Sequence, residues 1–349
     1  MDFKQYFLQQ MNIHPSIQPQ DIVKLCFQAA YGAEHLLNDL HAAEAYLEKE
    51  YAAIEACNIP LYECISDHVC RVNLAAWKWY KLPLSWLFKM FSSSSQVKSK
   101  DSDLFFSYLK TAEQVLQQID CAFSMADWHT YVTEYQKTGI SPVHHSGQYR
   151  VQEQPAYRII NSCYIRLFPL LKYIAGHLSE DQVYVIAIDG RAASGKSTMA
   201  GHLQTILDAD VIHMDDFFLP PSLRTAERFA TPGGNIHYER FLEEVLPHIS
   251  KPEGFSYRIF DCGQMDYNGN HTVGNVRFRI VEGSYSCHPL FGRYANVCVF
   301  SDVNPQEQMH RILHRNGAEM AEIFQNNWIP LEEKYFENYN IASRADIWV

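Results

Sequence analysis

The sequence predicts an α/β domain, a parallel sheet with helices on both faces, preceded by an all-α domain. Three observations carry this. A β-branched apolar run, Val183-Tyr-Val-Ile-Ala-Ile188, leads at once into a glycine-rich turn and then a helix-forming segment. Further short apolar runs recur after it, separated by segments long enough for crossover helices, the alternation expected of parallel strands. Before about residue 178 the apolar positions recur at helical spacing, with no strong period-two alternation.

The glycine-rich turn runs Gly190-Arg-Ala-Ala-Ser-Gly-Lys-Ser197, the G-x-x-x-x-G-K-S pattern. Glycines let the backbone wrap an anion closely, and consecutive N–H groups with the N-terminus of the next helix (196–207) point at it. This makes Gly190, Ala193, Ser194, Gly195, Lys196, Ser197 and Thr198 the candidate nucleotide contacts. Lys196 can reach the β- and γ-phosphates, and the Ser197 hydroxyl can ligate Mg²⁺. A glycine-rich turn that binds nothing is the competing reading. The strand before it and the helix after it favour a P-loop NTPase-type sheet binding ATP and Mg²⁺.

Composition sets outer bounds. A chain of 349 residues holds two or three domains, and 47% hydrophobic with 20% charged residues is an ordinary globular mixture. A formal net charge of −11 disfavours nucleic acid or a membrane surface as a partner. There is no 18-residue apolar run, and the Met-Asp-Phe-Lys-Gln-Tyr start lacks the signature of a signal peptide, so a cytoplasmic protein is expected. Nine cysteines without C-x-x-C pairs read as reduced thiols, and sixteen histidines show no H-E-x-x-H spacing. The sequence leaves a homo-oligomer open.

In the first half, Gln18-Pro-Gln-Asp21 starts a helix continued by Ile22, Leu25, Cys26, Ala29, Ala33, Leu36 and Leu37. Helices are further expected at 41–56, 67–80, 83–91, 103–119, 125–137 and 156–177, with a polar loop at 92–100. Three polar clusters stand out: Glu34-His35 with Asp39; Asp67, Arg71 and Asn73; and His144-His145-Ser146 with Tyr149-Arg150 and Tyr157-Arg158. The last could bind an anion. Capping helices and bridging loops is the blander alternative. A polar link at 177–182 sets the boundary, giving domains 1–178 and 179–349.

Beyond the loop, 209–218 reads as a second strand ending in Asp215 and Asp216, close to the bound phosphates because strand C-termini face the ligand crevice. Their like charges discourage both from facing one point. A proline- and glycine-rich loop at 219–235 carries Arg224 and Arg228. Residues 236–249 read as a helix, 255–261 as a short strand or hairpin arm, 275–283 as a strand ending in Glu282, and 295–302 as another strand. Glu282 holds the place of a Walker-B carboxylate. A helix at 305–316 carries Arg311 and Arg315 four apart on one face. Residues 345–349 could form the last strand.

This order of motifs resembles the uridine kinase/phosphoribulokinase-like branch of P-loop kinases over about residues 183–349, most specifically in Met-Asp215-Asp-Phe-Phe and Val-Glu282-Gly. The resemblance implies Asp215 as the base that activates the acceptor hydroxyl, leaving Asp216 to cap the following turn or contact metal through water. It implies Glu282 as a Mg²⁺ partner and Arg311 and Arg315 as lid arginines. Tyr257, Arg258 and Asp261 resemble the acceptor-side strand, whereas the acceptor region at 224–237, with Arg228 and His237 as candidate substrate contacts, departs from the uridine kinase pattern.

The expected activity is transfer of the γ-phosphoryl group of ATP to a hydroxyl of a small nucleoside-, sugar- or vitamin-like acceptor. The alternative is a nucleotide switch or sensor whose ATP state controls the helical domain. No N-K-x-D segment follows the loop and no L-S-G-G-Q appears, which disfavours a GTPase and a transporter-type ATPase.

Overall fold

The computed structural model describes residues 2–34, 37, 39–96, 102–179 and 182–349. The chain divides into two compact units, Met1–Ile165 and Arg166–Val349. The division falls inside the 3₁₀ helix Ser162–Leu167, upstream of the polar link at 177–182. Arg166 and the helix that follows therefore belong with the sheet domain.

The first unit carries α1 (Phe3–Ile13), α2 (Pro19–Tyr31), α3 (Leu40–Ala53), α4 (Leu74–Trp79), α5 (Leu84–Gln96), α6 (Ser102–Leu116), α7 (Met125–Thr138) and α8 (Gly147–Glu153). The all-α expectation needs one amendment, an antiparallel sheet of β1 (Tyr62–Cys64), β2 (Val69–Asn73) and β3 (Tyr157–Asn161), with β2 in the middle. The segment 67–80 is thus a strand and then a helix. Asn73 ends the one and caps the other, its side chain accepting from the N–H groups of Ala75 and Ala76. The segment 156–177 likewise opens with β3. Both strands are short β-branched runs whose period cannot separate helix from strand, so pairing decides.

Helix α2 stops at Tyr31, where Gly32 takes φ 59°. Of the expected polar loop, 92–96 continues α5, and 97–100 lie outside the described residues, as do His35 and Leu36. The His144–Arg158 cluster caps and bridges within its unit. His145 holds Asp21 through Nδ1 (2.9 Å) and the Tyr157 hydroxyl through Nε2 (2.7 Å). Ser146 caps α8 and donates to Asp21, and Arg158 pairs with Glu50.

The second unit runs α9 (Phe168–His177), β4 (Tyr184–Gly190), α10 (Lys196–Leu207), β5 (Asp210–His213), α11 (Ala226–Ala230), α12 (Tyr238–Glu244), β6 (Phe255–Asp261), β7 (Asp266–Val273), β8 (Phe278–Glu282), β9 (Val297–Ser301), α13 (Pro305–Ile323), α14 (Ile329–Tyr339), α15 (Ile341–Arg344) and β10 (Ile347–Trp348). Five strands pair in parallel in the order β10-β9-β4-β8-β5, and β6 and β7 form a separate antiparallel hairpin. All seven residues of β4 are buried, as a central parallel strand with both faces covered requires. Val185, Ala187, Ile212 and Val281 pack in one apolar cluster with Phe241 of α12 and Tyr335 and Phe336 of α14, while α10 packs against β4, β5 and β8.

β4 comes first of the five strands in the chain yet lies at the centre, so the connections leave it in both directions. A crevice therefore opens beyond its C-terminal end, at the topological switch point. β5 is shorter than expected. It ends at His213, and Asp215 and Asp216 sit on the 3₁₀ turn Met214–Phe217. Among the described residues no helix is long and apolar enough to cross a membrane.

Candidate functional site

The turn after β4 is shaped by what surrounds it. A Cβ on Gly190 would lie 2.0 Å from the backbone oxygen of Ser301 on β9, and its φ is 137°, so only glycine fits where β4 passes β9. Gly195 (φ 95°) turns the chain into α10, whose first residue is Lys196. The Lys196 ammonium donates to the carbonyls of Gly190 (2.7 Å) and Arg191 (2.9 Å) and to the Ser284 hydroxyl (3.3 Å). The cation is thereby held over the loop rather than out in solvent.

Beside it, the Ser197 hydroxyl lies 3.2 and 3.1 Å from the two oxygens of Glu282 at the end of β8. His213, ending β5, places Nδ1 2.6 Å from Glu282 Oε1, and this bond raises the imidazole's pKa above its ordinary value. A hydroxyl facing a carboxylate is a hard-oxygen donor set of the kind Mg²⁺ takes, with waters and phosphates completing its shell. The residues therefore fit the ion. Among the described residues no group of three His, Cys, Asp or Glu side chains could hold a metal by itself.

A cavity of about 970 Å³ opens over this loop. Ala193, Gly195, Lys196, Ser197 and Thr198 line it, with Asp215, Glu282, Arg311 and Arg315. Gly190 and Ser194 are buried and do not line it. Asp215 opens onto the cavity but is densely surrounded by protein, and this desolvation, with Glu282 nearby, lifts its carboxyl above the ordinary range. Arg311 donates to the Ala193 carbonyl (3.2 Å) and to Glu307 (2.7 Å), and Arg315 to Asn316 (2.8 Å).

The remaining predicted residues are placed elsewhere. Asp216 turns from the cavity and accepts the Tyr257 hydroxyl at 2.9 Å, and Tyr257 is itself buried. Burial raises the Asp216 carboxyl, and the Tyr257 bond partly offsets this. Arg258 pairs with Glu244, and Asp261 accepts the Gly263 N–H in the β6–β7 turn. Arg228 stitches its own loop, donating to Glu239, Tyr238 and the carbonyls of Gly234 and Ile236. His237 is half-buried, and burial lowers its pKa. None of Tyr257, Arg258, Asp261, Arg228 and His237 lines the cavity.

Other residues do, and sequence reasoning passed over them. Glu332 of α14 is buried, accepts from the Ala192 N–H (2.9 Å) and meets the Ser284 hydroxyl (2.7 Å). Burial raises its pKa. Phe324 and Trp328 come from the π-helical turn Phe324–Trp328, and Arg166 from the 3₁₀ turn ahead of α9. The helix of Arg311 breaks after Asn316, as expected, because Gly317 leaves helical geometry (φ 81°, ψ 172°), and a second helical segment runs on to Ile323.

No family model matches the chain. Over about half its length it is similar to the structure of a possible uridine kinase from Bacillus stearothermophilus, at 20% identity, with 53% of this chain and 98% of that one covered and a TM-score of 0.42. A second similar structure is that of a putative fructose transport system kinase from Silicibacter sp. TM1040, at 21% identity, with 52% and 98% covered and a TM-score of 0.44.

Proposed function

We propose that the second unit is an ATP-dependent small-molecule kinase that transfers the γ-phosphoryl group to a hydroxyl of its acceptor. The observation that carries this is the convergence of Lys196, Ser197, Glu282 and Asp215 on one cavity at the C-terminal end of β4. Such chemistry needs positioning and charge neutralisation rather than covalent help. The loop N–H groups and Lys196 hold the phosphates. Ser197 and Glu282 would hold Mg²⁺, which would supply positive charge against the phosphates. Asp215 orients the attacking hydroxyl and takes its proton.

At about 970 Å³ the cavity is at the large end of small-molecule sites, with room for an acceptor beside a nucleotide. Phe218, Phe229, Tyr285, Phe324 and Trp328 line it, an aromatic wall suited to a compact planar or sugar-like acceptor. The test is ATP consumption by the full chain against pools of nucleosides, sugars and vitamin precursors. Turnover that depends on one acceptor is expected. Slow hydrolysis indifferent to every acceptor would replace this reading with the nucleotide switch.

The lid arginines give a second expected outcome. Both face the cavity from α13, one turn apart. Their charge matters most as the γ-phosphoryl moves, so Arg311→Ala and Arg315→Ala should lower kcat more than they raise KM for ATP. Steady-state kinetics on the two variants checks this, and unchanged kcat/KM in both would remove the arginines from the mechanism.

A further inference from the structure

Arg166 lies outside the glycine-rich loop by sequence and against it in space. Its Nη2 donates to the Gly195 carbonyl at 2.8 Å, and its guanidinium nitrogens lie 3.1 Å from where a Cβ on Gly195 would stand. It lines the same cavity as Lys196 and Thr198 and belongs to the same compact unit. Arg311 likewise reaches a loop carbonyl, that of Ala193, at 3.2 Å. Two arginines are thus each anchored to a carbonyl of the loop.

The two arginines meet different parts of the loop. Glu282, Asp215 and Ser197 mark the place of the metal and of the transferred phosphoryl group. Arg166 stands beside Gly195 at the turn into α10 and lines the cavity with Thr198. With the terminal phosphates at Lys196 and the γ-phosphoryl group at Asp215, the first phosphate is left to the residues at the turn into α10, where Thr198 and Arg166 line the cavity. A guanidinium there has five donors in a planar fork suited to phosphate oxygens.

Resting on the kinase reading above, we infer that Arg166 is a nucleotide-binding residue that grips the phosphate nearest the nucleoside, the α-phosphate of ATP, ADP or AMP. The residue reaches the site from ahead of the first strand, so the phosphate cradle is completed by chain outside the loop motif. The Gly195 carbonyl pre-places the fork before the nucleotide arrives, which reduces the ordering cost on binding.

The experiment measures binding of ADP, AMP and adenosine to the full chain by calorimetry or competition, for the parent, Arg166→Ala, Arg166→Lys and Lys196→Ala. A charge-assisted bidentate contact is worth roughly tenfold or more in affinity. Arg166→Ala should therefore weaken ADP and AMP by about that factor and leave adenosine unchanged. Arg166→Lys, which keeps the charge but not the fork, should fall between and guards against a variant that fails to fold. An equal loss for adenosine would place the arginine on the ribose or base and overturn the α-phosphate assignment. Unchanged ADP and AMP binding in both Arg166 variants, with ADP weakened in Lys196→Ala, would overturn the inference and leave the loop reading standing. Unchanged ADP binding in Lys196→Ala as well would overturn both.

Discussion

Lys196→Ala is expected to abolish acceptor-dependent ATP turnover while the chain stays folded. The ammonium is surrounded by the Gly190 and Arg191 carbonyls and the Ser284 hydroxyl, so it is fixed before any ligand binds. Fixed charge aimed at developing charge needs no reorganisation during the reaction, and removing one such preorganised donor typically costs about 10²–10³-fold in kcat. A full positive charge should lie at or beyond the upper end of that range. The alanine variant also leaves two loop carbonyls without their donor, so a modest drop in melting temperature accompanies the loss. Lys196→Met, which fills the same space without charge, separates the two effects. Both variants should lose turnover, and the methionine variant should melt closer to the parent. Parent-like turnover in either would remove the phosphate-binding role from the loop.

The second unit was largely legible because its signals are local. A buried β-branched run followed by G-x-x-x-x-G-K-S specifies a strand, a turn and a helix start within sixteen residues, 183–198, and the structure has β4, the Gly190 and Gly195 turns and α10 there. Glu282 was found because a short apolar strand ends on it. What escaped depends on long-range contacts or on reversed punctuation. Gly317 breaks the helix of Arg311, and the second helical segment that follows it carries no signal of its own. No element is expected from the sequence over 317–344, and Pro330 sits in the first turn of α14, where a missing N–H costs nothing. With that helix unread, Glu332 was invisible. Arg166 was missed because the polar link drew the boundary at 178, whereas packing draws it at 165. In the first unit, Val69-Cys-Arg-Val and Tyr157-Arg-Ile-Ile carry too few residues to show a period, and only their mutual pairing makes them strands.

Asp215→Asn should cut kcat by about 10²–10⁴-fold, the usual contribution of general-base catalysis, with nucleotide binding nearly intact. Asp216→Asn should cost far less. A strand running through both would put their side chains on opposite faces. The strand ends at His213 and both lie on a 3₁₀ turn, but the turn separates them all the same. Asp215 opens onto the cavity with Lys196 and Glu282. Asp216 is spent on the Tyr257 hydroxyl, and Arg240 holds its carbonyl at 3.1 Å, so it reads as the turn's anchor. An amide at 216 can still accept that hydroxyl, which is why the asparagine variant should be mild. The pH profile gives an independent check. Desolvation by the protein around it and the Glu282 charge hold the Asp215 carboxyl above the ordinary range, although it opens onto the cavity, and a base must be ionised to work. Activity should therefore fall with decreasing pH at a value above that of a free aspartate, and this limb should vanish in the residual activity of Asp215→Asn. Measuring kcat for both variants across pH and a Mg²⁺ titration decides the matter. If Asp216→Asn is the more damaged and added Mg²⁺ does not restore it, the base is Asp216. If Mg²⁺ does restore it, Asp216 reaches the metal through water and Asp215 keeps the proton.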